Sequence, residues 1–295
     1  MKKILISILL LLLLSGCAAQ EPAQVAATTL PVYEFTSLLC EGTGITVTRL
    51  VTEEVSCLHD YSLNVRQVKS AEAAELIVLS GAGLEEFLDD MLLGKEAIDA
   101  SQGIELLCPE EEHDHDHEEE HDHEHEGHHH DQDPHIWLSP ENAKIMARNI
   151  HAGLCAKYPE YADTFAANLD TLLARLDELK IYGEETLNGL SCRELITFHD
   201  GFAYFAEAFD LTILEAVEEE SGSEASAKEL IHLIEEVEHH SLPAIFTETN
   251  GSTSAADIIS RETGATCHSL DMAMSGDSYF TAMYHNIDTI KEALQ

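Results

Sequence analysis

Basic residues are scarce in this chain of 295 residues, which holds 15 Lys plus Arg against 56 Asp plus Glu and has a formal net charge of −41 with the histidines neutral. Nucleic acid is therefore excluded as a partner, because a phosphate backbone is bound by clustered Lys and Arg and is repelled by a field of this sign. Cations are attracted instead. The hydrophobic content of 44% is sufficient for a folded core, and the length allows two domains.

The sequence also lacks an apolar run of the roughly 20 residues that a membrane-spanning helix needs. One shorter run, Ile4 to Leu14, follows two lysines and ends in Ser15-Gly16-Cys17. This order predicts a signal peptide over residues 1–16. The small residues before Cys17 resemble the bacterial lipobox, in which the cysteine is lipidated. We therefore expect an extracytoplasmic protein that a lipid anchor alone holds at the membrane, with residues 17–24 as a flexible leash.

No two cysteines have the CxxC spacing, so the sequence gives no support to a zinc site built from thiolates. An extracytoplasmic location permits disulfides, but the spacing of the six cysteines after Cys17 selects no pairing. Buried thiols and structural bridges both stay open. The six are Cys40, Cys57, Cys108, Cys155, Cys192 and Cys267.

One segment, Glu110 to Asp131, contains no apolar side chain and consists of nine histidines, twelve acidic residues and Gly127. Because it has nothing to bury, we expect a mobile loop inserted within a domain. Its histidines are dense enough to bind additional metal weakly, without supplying a ligand to a tight site. They are His113, His115, His117, His121, His123, His125, His128, His129 and His130.

Before this segment, short β-rich runs alternate with helical patterns, which predicts parallel βαβ units. The predicted strands are Val25 to Leu30, Ile45 to Val51, Leu76 to Ser80 and Ile104 to Leu107, and the predicted helices are Pro31 to Cys40 and Asn64 to Ala74.

After the segment, Ser139 and Pro140 are typical of a helix start, and a helix is predicted through about Lys157. A second helical stripe runs from Pro159 to about Leu187, close to 45 Å of helix. The α/β pattern then returns, with strands at Leu195 to Phe198, Leu211 to Ala216, Ala244 to Thr247 and Thr266 to Leu270, and a helix at Ser226 to His239.

These elements predict an α/β fold of two lobes joined by one long rigid helix. The expected limits are residues 25–157 for the N-terminal lobe, 158–188 for the linking helix and 189–295 for the C-terminal lobe. Ligands of open α/β sheets bind outside the carboxyl ends of the strands, so the cleft between the lobes is the expected site.

Three histidines outside the acidic segment stand where strands give way to loops: His59, His135 and His199. Asp271 directly follows the last predicted strand. Three imidazoles and one carboxylate or water form a tetrahedral set that suits Zn(II). Each histidine taken alone can equally be a satisfied interior residue; only the shared strand-end positions favour a metal. By contrast, we expect His232, His239 and His240 to face solvent and His268 to be structural.

The residues around these ligands resemble those of the zinc-specific solute-binding lipoproteins of bacterial ABC uptake systems, within the wider zinc/manganese family. The resemblance covers nearly the whole mature chain. The motifs are Leu58-His59-Asp60-Tyr61-Ser62-Leu63, the stretch from Leu76 to Leu88, Asp133-Pro134-His135-Ile136-Trp137-Leu138-Ser139-Pro140, His199-Asp200-Gly201-Phe202-Ala203-Tyr204-Phe205, and Leu270-Asp271 followed by Gly276-Asp277-Ser278-Tyr279.

This resemblance implies two Rossmann-like lobes bridged by a rigid helix, a metal at their interface, and delivery to a permease and its ATPase. We expect a monomer. Manganese-type members carry a carboxylate at the third ligand, where this chain has His199, so zinc is expected. Leu58 stands where some zinc members carry Glu, which leaves Asp271 or water as the fourth ligand.

Other functions fit the same features. A metallohydrolase also holds zinc with such ligands, but it needs a base, and outside the acidic segment no HExxH motif supplies one. Asp60 and Asp200 are available either as bases or as partners that orient a ligand. A manganese-binding homologue, and a surface adhesin or metal store of the same fold, also remain open. The favoured function is capture of extracellular zinc and its delivery to a transporter, without catalysis.

Overall fold

The computed structural model describes residues 24–55, 58, 61–107, 132–217 and 225–295. The predicted signal peptide with Cys17, and the histidine-rich segment from Glu110 to Asp131, lie outside this part. Gln24, the last residue of the predicted leash, already pairs with Thr46 through two hydrogen bonds of 3.2 and 3.3 Å. None of the helices in the described part combines the length and the apolar content that crossing a bilayer requires.

The first half of the chain builds a parallel four-stranded sheet in the order β2-β1-β3-β4. Buried apolar residues fill β1 and most of β3, as expected for central strands covered on both faces. The elements are β1 (Val25–Ala27), α1 (Leu30–Leu39), β2 (Val47–Arg49), α2 (Val65–Ala73), β3 (Leu76–Leu79), a 3₁₀ turn (Glu86–Leu88) that leads into α3 (Asp89–Leu92), and β4 (Ala97–Asp99).

The second half repeats this arrangement in a parallel sheet of order β6-β5-β7-β8. Its fully buried strand β7 again lies near the centre. The elements are β5 (Glu194–Thr197), α6 (Ala203–Ala208), β6 (Thr212–Ala216), α7 (Ala227–His240), β7 (Ala244–Glu248), α8 (Ser254–Thr263), β8 (Thr266–Leu270) and α9 (Tyr279–Leu294).

Two helices, α4 (Pro140–Lys157) and α5 (Ala162–Thr186), lie between the sheets and pack against each other. The Ser139 hydroxyl accepts the Asn142 amide hydrogen and caps α4. A 3₁₀ turn, Pro159–Tyr161, separates the two helices. Because α5 packs on α1 of the first lobe and on α9 of the second, it is the long helix that joins the lobes.

The predicted fold class is confirmed, and seven of the eight predicted strands overlap observed ones. One prediction is wrong: residues 104–107 form no strand, and the fourth strand of the first sheet is β4, Ala97–Asp99. Ile104 is buried, and Leu106 and Leu107 pack on the core. Their apolar character therefore serves packing rather than a hydrogen-bonded ladder. The domain limits given above stay predictions.

A continuous core runs from one lobe into the other and includes Trp137, Tyr204 and Tyr279. Hydrogen bonds cross the same interface. The Trp137 indole N–H donates to the carbonyl of Met272 (2.8 Å), and the Tyr279 hydroxyl donates to the carbonyl of Trp137 (2.8 Å). Burial raises the pKa of Tyr279, which keeps this hydroxyl a donor. The lobes are therefore in close contact beside the predicted cleft.

In the described part, Cys40, Cys155, Cys192 and Cys267 are free thiols. Burial raises the pKa of Cys40 to about 12, so this thiol stays protonated and packs as a small apolar side chain. Cys57 and Cys108 lie outside the described residues.

Candidate metal centre

His135 is held in a tight local turn by the carboxylate two residues before it. Asp133 Oδ1 accepts the backbone N–H of His135 (2.8 Å) and also lies 2.8 Å from its ring Nδ1. Pro134 fixes the backbone between them. A 3₁₀ turn, Ile136–Leu138, follows directly, so the imidazole projects from a short and well-braced piece of chain. Only 1% of the His135 side chain is exposed.

His199 lies two residues beyond the end of β5, and Glu248 ends the adjacent strand β7. Parallel strands end at the same edge of a sheet, and this brings the two side chains together. Glu248 Oε1 lies 3.1 Å from His199 Nδ1, with 5% and 2% of the side chains exposed. Each histidine of the site therefore has a carboxylate at its Nδ1.

The two imidazoles meet at their other nitrogens: His135 Nε2 and His199 Nε2 lie 3.3 Å apart, with the rings at 84° to each other. A carboxylate beside Nδ1 favours the tautomer with the proton on Nδ1, and Nε2 then carries a lone pair. Two such lone pairs facing each other repel unless a proton or a metal ion lies between them.

The distance fits a metal. Zn–N bonds of about 2.0–2.1 Å in a tetrahedron place two ligand nitrogens about 3.3–3.4 Å apart. A carboxylate behind each ligating imidazole is the arrangement that orients histidines in metal sites. The described residues thus bring two imidazoles together at a separation that fits two ligands of a tetrahedral metal site, each with a carboxylate behind it.

Asp271 directly follows β8. Together with Glu248 it lines a small cavity that also includes Met272 and Ser275. Its Oδ1 accepts the Ala273 amide hydrogen at 2.7 Å, and Asn286 pairs with both its backbone N–H and its C=O at 2.7 Å. Across the described ranges, no three His, Cys, Asp or Glu side chains form a group that holds a metal.

The remaining predicted site residues lie outside the described part: His59 with its neighbour Asp60, Cys17, and the nine histidines of the acidic segment. Leu58 and Tyr61 are the nearest described residues on either side of His59 in the sequence. Leu58 is buried in the core of the first lobe, and the amide of Tyr61 donates to the Leu58 carbonyl.

The histidines that the sequence does not assign to the site contact other residues. His232, on α7, is exposed and lies beside Glu215, as expected. His240 differs from the expectation, because it is only partly exposed and its Nδ1 contacts Glu194 at 3.0 Å. His268 bonds to the hydroxyl of Thr266 within β8. Asp200, which follows His199, is exposed.

Sequence reasoning missed Asp133 and Glu248 as the carboxylates beside the imidazoles, and offered Asp60 and Asp200 either as bases or as partners that orient a ligand. Signals for both were present. Asp133 stands at the position from which an Asx turn reaches the residue two places on, and Glu248 ends a strand at the same sheet edge as His199 and Asp271.

Residues 25–293 match the family described as "Zinc-uptake complex component A periplasmic". The chain belongs to that family. Its members are solute-binding proteins of ABC metal uptake and not enzymes, so the metallohydrolase alternative is set aside.

Individual relatives agree with this assignment. A putative metal-binding protein of Treponema pallidum (strain Nichols) is 29% identical over 296 residues, which cover 95% of this chain and 92% of the relative. A zinc-binding lipoprotein AdcA of Streptococcus pneumoniae (strain ATCC BAA-255 / R6) is 30% identical over 312 residues, or 99% of this chain and 61% of the relative. The chain thus spans less than two thirds of the AdcA relatives that it matches.

Solved structures share the fold. A crystal structure of ZnuA superposes with a TM-score of 0.77 at 30% identity and covers 92% of this chain and 100% of its own. The Zn(II)-bound ZnuA-like domain of Streptococcus pneumoniae AdcA gives a TM-score of 0.74 at 25% identity, with 92% and 98% covered. A ZnuA mutant that lacks residues 138–173, numbered in that protein, is described as zinc-bound and gives a TM-score of 0.75 at 29% identity.

Proposed function

We propose that this protein captures Zn(II) outside the cytoplasm and delivers it to the permease and ATPase of an ABC transporter. The observation that carries the proposal is the pair of opposed Nε2 atoms of His135 and His199, 3.3 Å apart and each backed by a carboxylate. Such a pair gains most from a cation that accepts nitrogen lone pairs. Zinc does so more readily than manganese, which prefers oxygen ligands.

We assign His59 as the third ligand and Asp271 or water as the fourth. One further imidazole and one oxygen would complete a tetrahedral set of the kind that holds Zn(II). The set would draw on the strand ends of both lobes, so that the ion sits between them. Asp271 already lines the same cavity as Glu248, and its carboxylate would become a ligand by turning toward the two imidazoles.

Lipid attachment through Cys17 is part of the same proposal, since a tethered binding protein stays close to its permease. The acidic surface suits capture of a cation, because a strongly negative field raises the local cation concentration. Manganese as the cargo is the alternative, and an adhesin or a metal store with the same fold is a third candidate. Neither has a specific observation in its favour.

The direct test is the metal content and affinity of the mature domain. Native mass spectrometry should show one tightly bound zinc. Free zinc at about 100 times the dissociation constant should stabilise the fold by about 2.7 kcal/mol. H135A and H199A should each abolish tight binding, whereas H232A, which changes an exposed histidine on α7, should bind like the wild type. An unchanged melting temperature in saturating zinc, or equal binding by all three variants, would contradict the proposed site.

Delivery needs a separate test in cells. A strain without the gene should grow poorly in zinc-poor medium and recover with added zinc. Complementation by the wild-type gene should restore growth, and complementation by H199A should not. A strain that recovers with manganese rather than zinc would favour the manganese alternative, and normal growth of the deletion strain would favour a metal store.

A further inference from the structure

The segment that contains His199 also contacts the segment that contains His135. Five residues after His199, Tyr204 lies on α6 with its side chain almost fully buried in the core between the lobes. Its hydroxyl donates to the backbone carbonyl of Asp133 (3.0 Å) and accepts the amide hydrogen of Leu107 (2.9 Å). One hydroxyl therefore touches both the residue before Pro134 and the chain on the far side of the histidine-rich segment.

The Asp133–His135 turn is internally rigid. Asp133 Oδ1 bonds both the backbone N–H and the Nδ1 of His135, and Pro134 restricts the backbone between them. The imidazole therefore moves together with Asp133. Its position relative to His199 depends on what holds the two ends of this turn against the C-terminal lobe.

The downstream end is held by Trp137, which bonds to Met272 and Tyr279. On the upstream side, the Asp133 amide donates to the Leu107 carbonyl at 2.8 Å. Both of those residues belong to the first half of the chain, so their bond does not fix the turn against the C-terminal lobe. The Tyr204 hydroxyl is what joins this upstream pair to α6.

We infer that Tyr204 is a positioning residue for the zinc site: its hydroxyl holds the Asp133–His135 turn at the separation from His199 that one metal ion requires. The inference rests on the proposed function, since it concerns the same two ligands. It adds that a single segment, residues 199–204, both supplies one ligand and sets the place of the other. Tyr204 itself does not touch the ion.

The variant Y204F removes the hydroxyl and keeps the ring. Loss of a group that orients a metal ligand typically weakens metal affinity by about 10–100-fold, and we expect about 10-fold here because Trp137 still holds the downstream end. Y158F is the matched control, since Tyr158 is also largely buried and its hydroxyl bonds Glu75, in the first lobe. It should bind zinc within about twofold of the wild type.

Two further measurements separate positioning from a general effect on the fold. Co(II) bound in place of zinc gives visible absorption bands that report the geometry of the ligands, and Y204F should shift or weaken these bands while Y158F leaves them unchanged. Combined with D133N, Y204F should add less than its separate effect, because both changes act through the same turn.

The outcomes distinguish this inference from the proposed function. If the wild type binds no zinc tightly, the proposed function fails and the inference fails with it. If H135A and H199A lose tight binding while Y204F matches Y158F in affinity and in Co(II) spectrum, only the role of Tyr204 is wrong. A Y204F chain that does not fold would also overturn the inference, since the hydroxyl would then serve the fold rather than the site.

Discussion

Gly201 faces the ring of His199 so closely that a Cβ at position 201 would lie 2.6 Å from His199 Cδ2 and 2.9 Å from His199 Nε2. Real side chains do not approach within these distances. A third close atom is the flexible methyl end of Met272, 2.6 Å from the same point. The observed orientation of the His199 ring therefore requires a residue without a side chain at position 201.

The variant G201A should therefore turn His199 away from His135 and weaken zinc binding by about 10-fold or more, with a loss of stability of about 1–3 kcal/mol from overpacking. Calorimetric titration with a competing chelator measures the first effect and chemical denaturation the second. G153A provides the control, because a Cβ there would crowd the side chain of Ile98 in the first lobe. It should lose stability and retain its zinc affinity; an equal loss of affinity in both variants would contradict the prediction.

The carboxylates behind the two imidazoles should contribute to zinc affinity without touching the ion. Each of D133N and E248Q should weaken binding by about 10–100-fold, because each removes the charge that favours the proton on Nδ1 and a lone pair on Nε2. E194Q changes a comparable contact, that of Glu194 with His240 on the surface, and should have no effect on zinc. Unchanged affinity in D133N and E248Q would show that these contacts serve packing alone.

Glu85 predicts a pH dependence of stability in the first lobe. This carboxyl is buried at the ends of β1 and β3, where it accepts hydrogen bonds from the Thr28 hydroxyl (2.6 Å) and the amides of Ser80 (2.7 Å) and Gly81 (3.0 Å). Burial raises its pKa to about 7 from an ordinary value of 4.5. The folded state therefore holds the proton more tightly than the unfolded state, and the stability linked to this proton is present below pH 4.5 and lost as the pH rises through 7.

The shift corresponds to a free energy on the order of 3 kcal/mol. Between pH 5 and pH 8, the wild type should lose unfolding free energy relative to E85Q. Urea denaturation of the zinc-free protein measures this difference. The control variant E86Q, which changes the exposed residue next to Glu85, should show no such trend. Parallel pH profiles for E85Q and the wild type would rule out a raised pKa at Glu85.

Removal of residues 110–131 should leave the fold and the tight zinc site intact and should abolish weaker binding of further zinc. The two flanks of the segment adjoin, since the Asp133 amide donates to the Leu107 carbonyl at 2.8 Å. A short linker can therefore replace the segment without moving its flanks. Zinc stoichiometry by native mass spectrometry, with and without the segment joined by a short Gly-Ser linker, measures both effects. Loss of the tight site with the fold retained would mean that the segment supplies a primary ligand in place of His59 or Asp271.

The sequence predicts the α/β fold class and the long helix, because each depends on local patterning. Helix starts at Ser139 and Ser226 are fixed by side-chain caps, and central strands such as Leu76–Leu79 by continuous burial. The edge strand Ala97–Asp99 has only Ile98 buried among its three residues, too little pattern to identify. The neighbouring apolar residues 104–107 gave the stronger but misleading signal.

Contacts between distant segments are the part that sequence patterning does not contain. His135 and His199 are 64 residues apart, and only strand order and lobe packing determine which nitrogens face each other. The same holds for the Tyr204 hydroxyl, whose partners Leu107 and Asp133 lie 97 and 71 residues away. Glu248 becomes visible as a partner of His199 only once the strands β5 and β7 are placed side by side, whereas Asp133 is a local neighbour of His135 in the sequence.

The identical strand order of the two sheets makes the lobes comparable position by position. In each lobe a buried carboxylate at or beyond the C-terminal end of the third strand reaches the chain that follows the first strand. Glu85 bonds the Thr28 hydroxyl in one lobe, and Glu248 contacts the His199 imidazole in the other. The first contact leaves no further donor, since the Thr28 hydroxyl donates its only proton to the Glu85 carboxylate. The second leaves the Nε2 of His199 facing His135, so under the proposed function the exchange of a hydroxyl for an imidazole would turn a common structural contact into a metal-binding one.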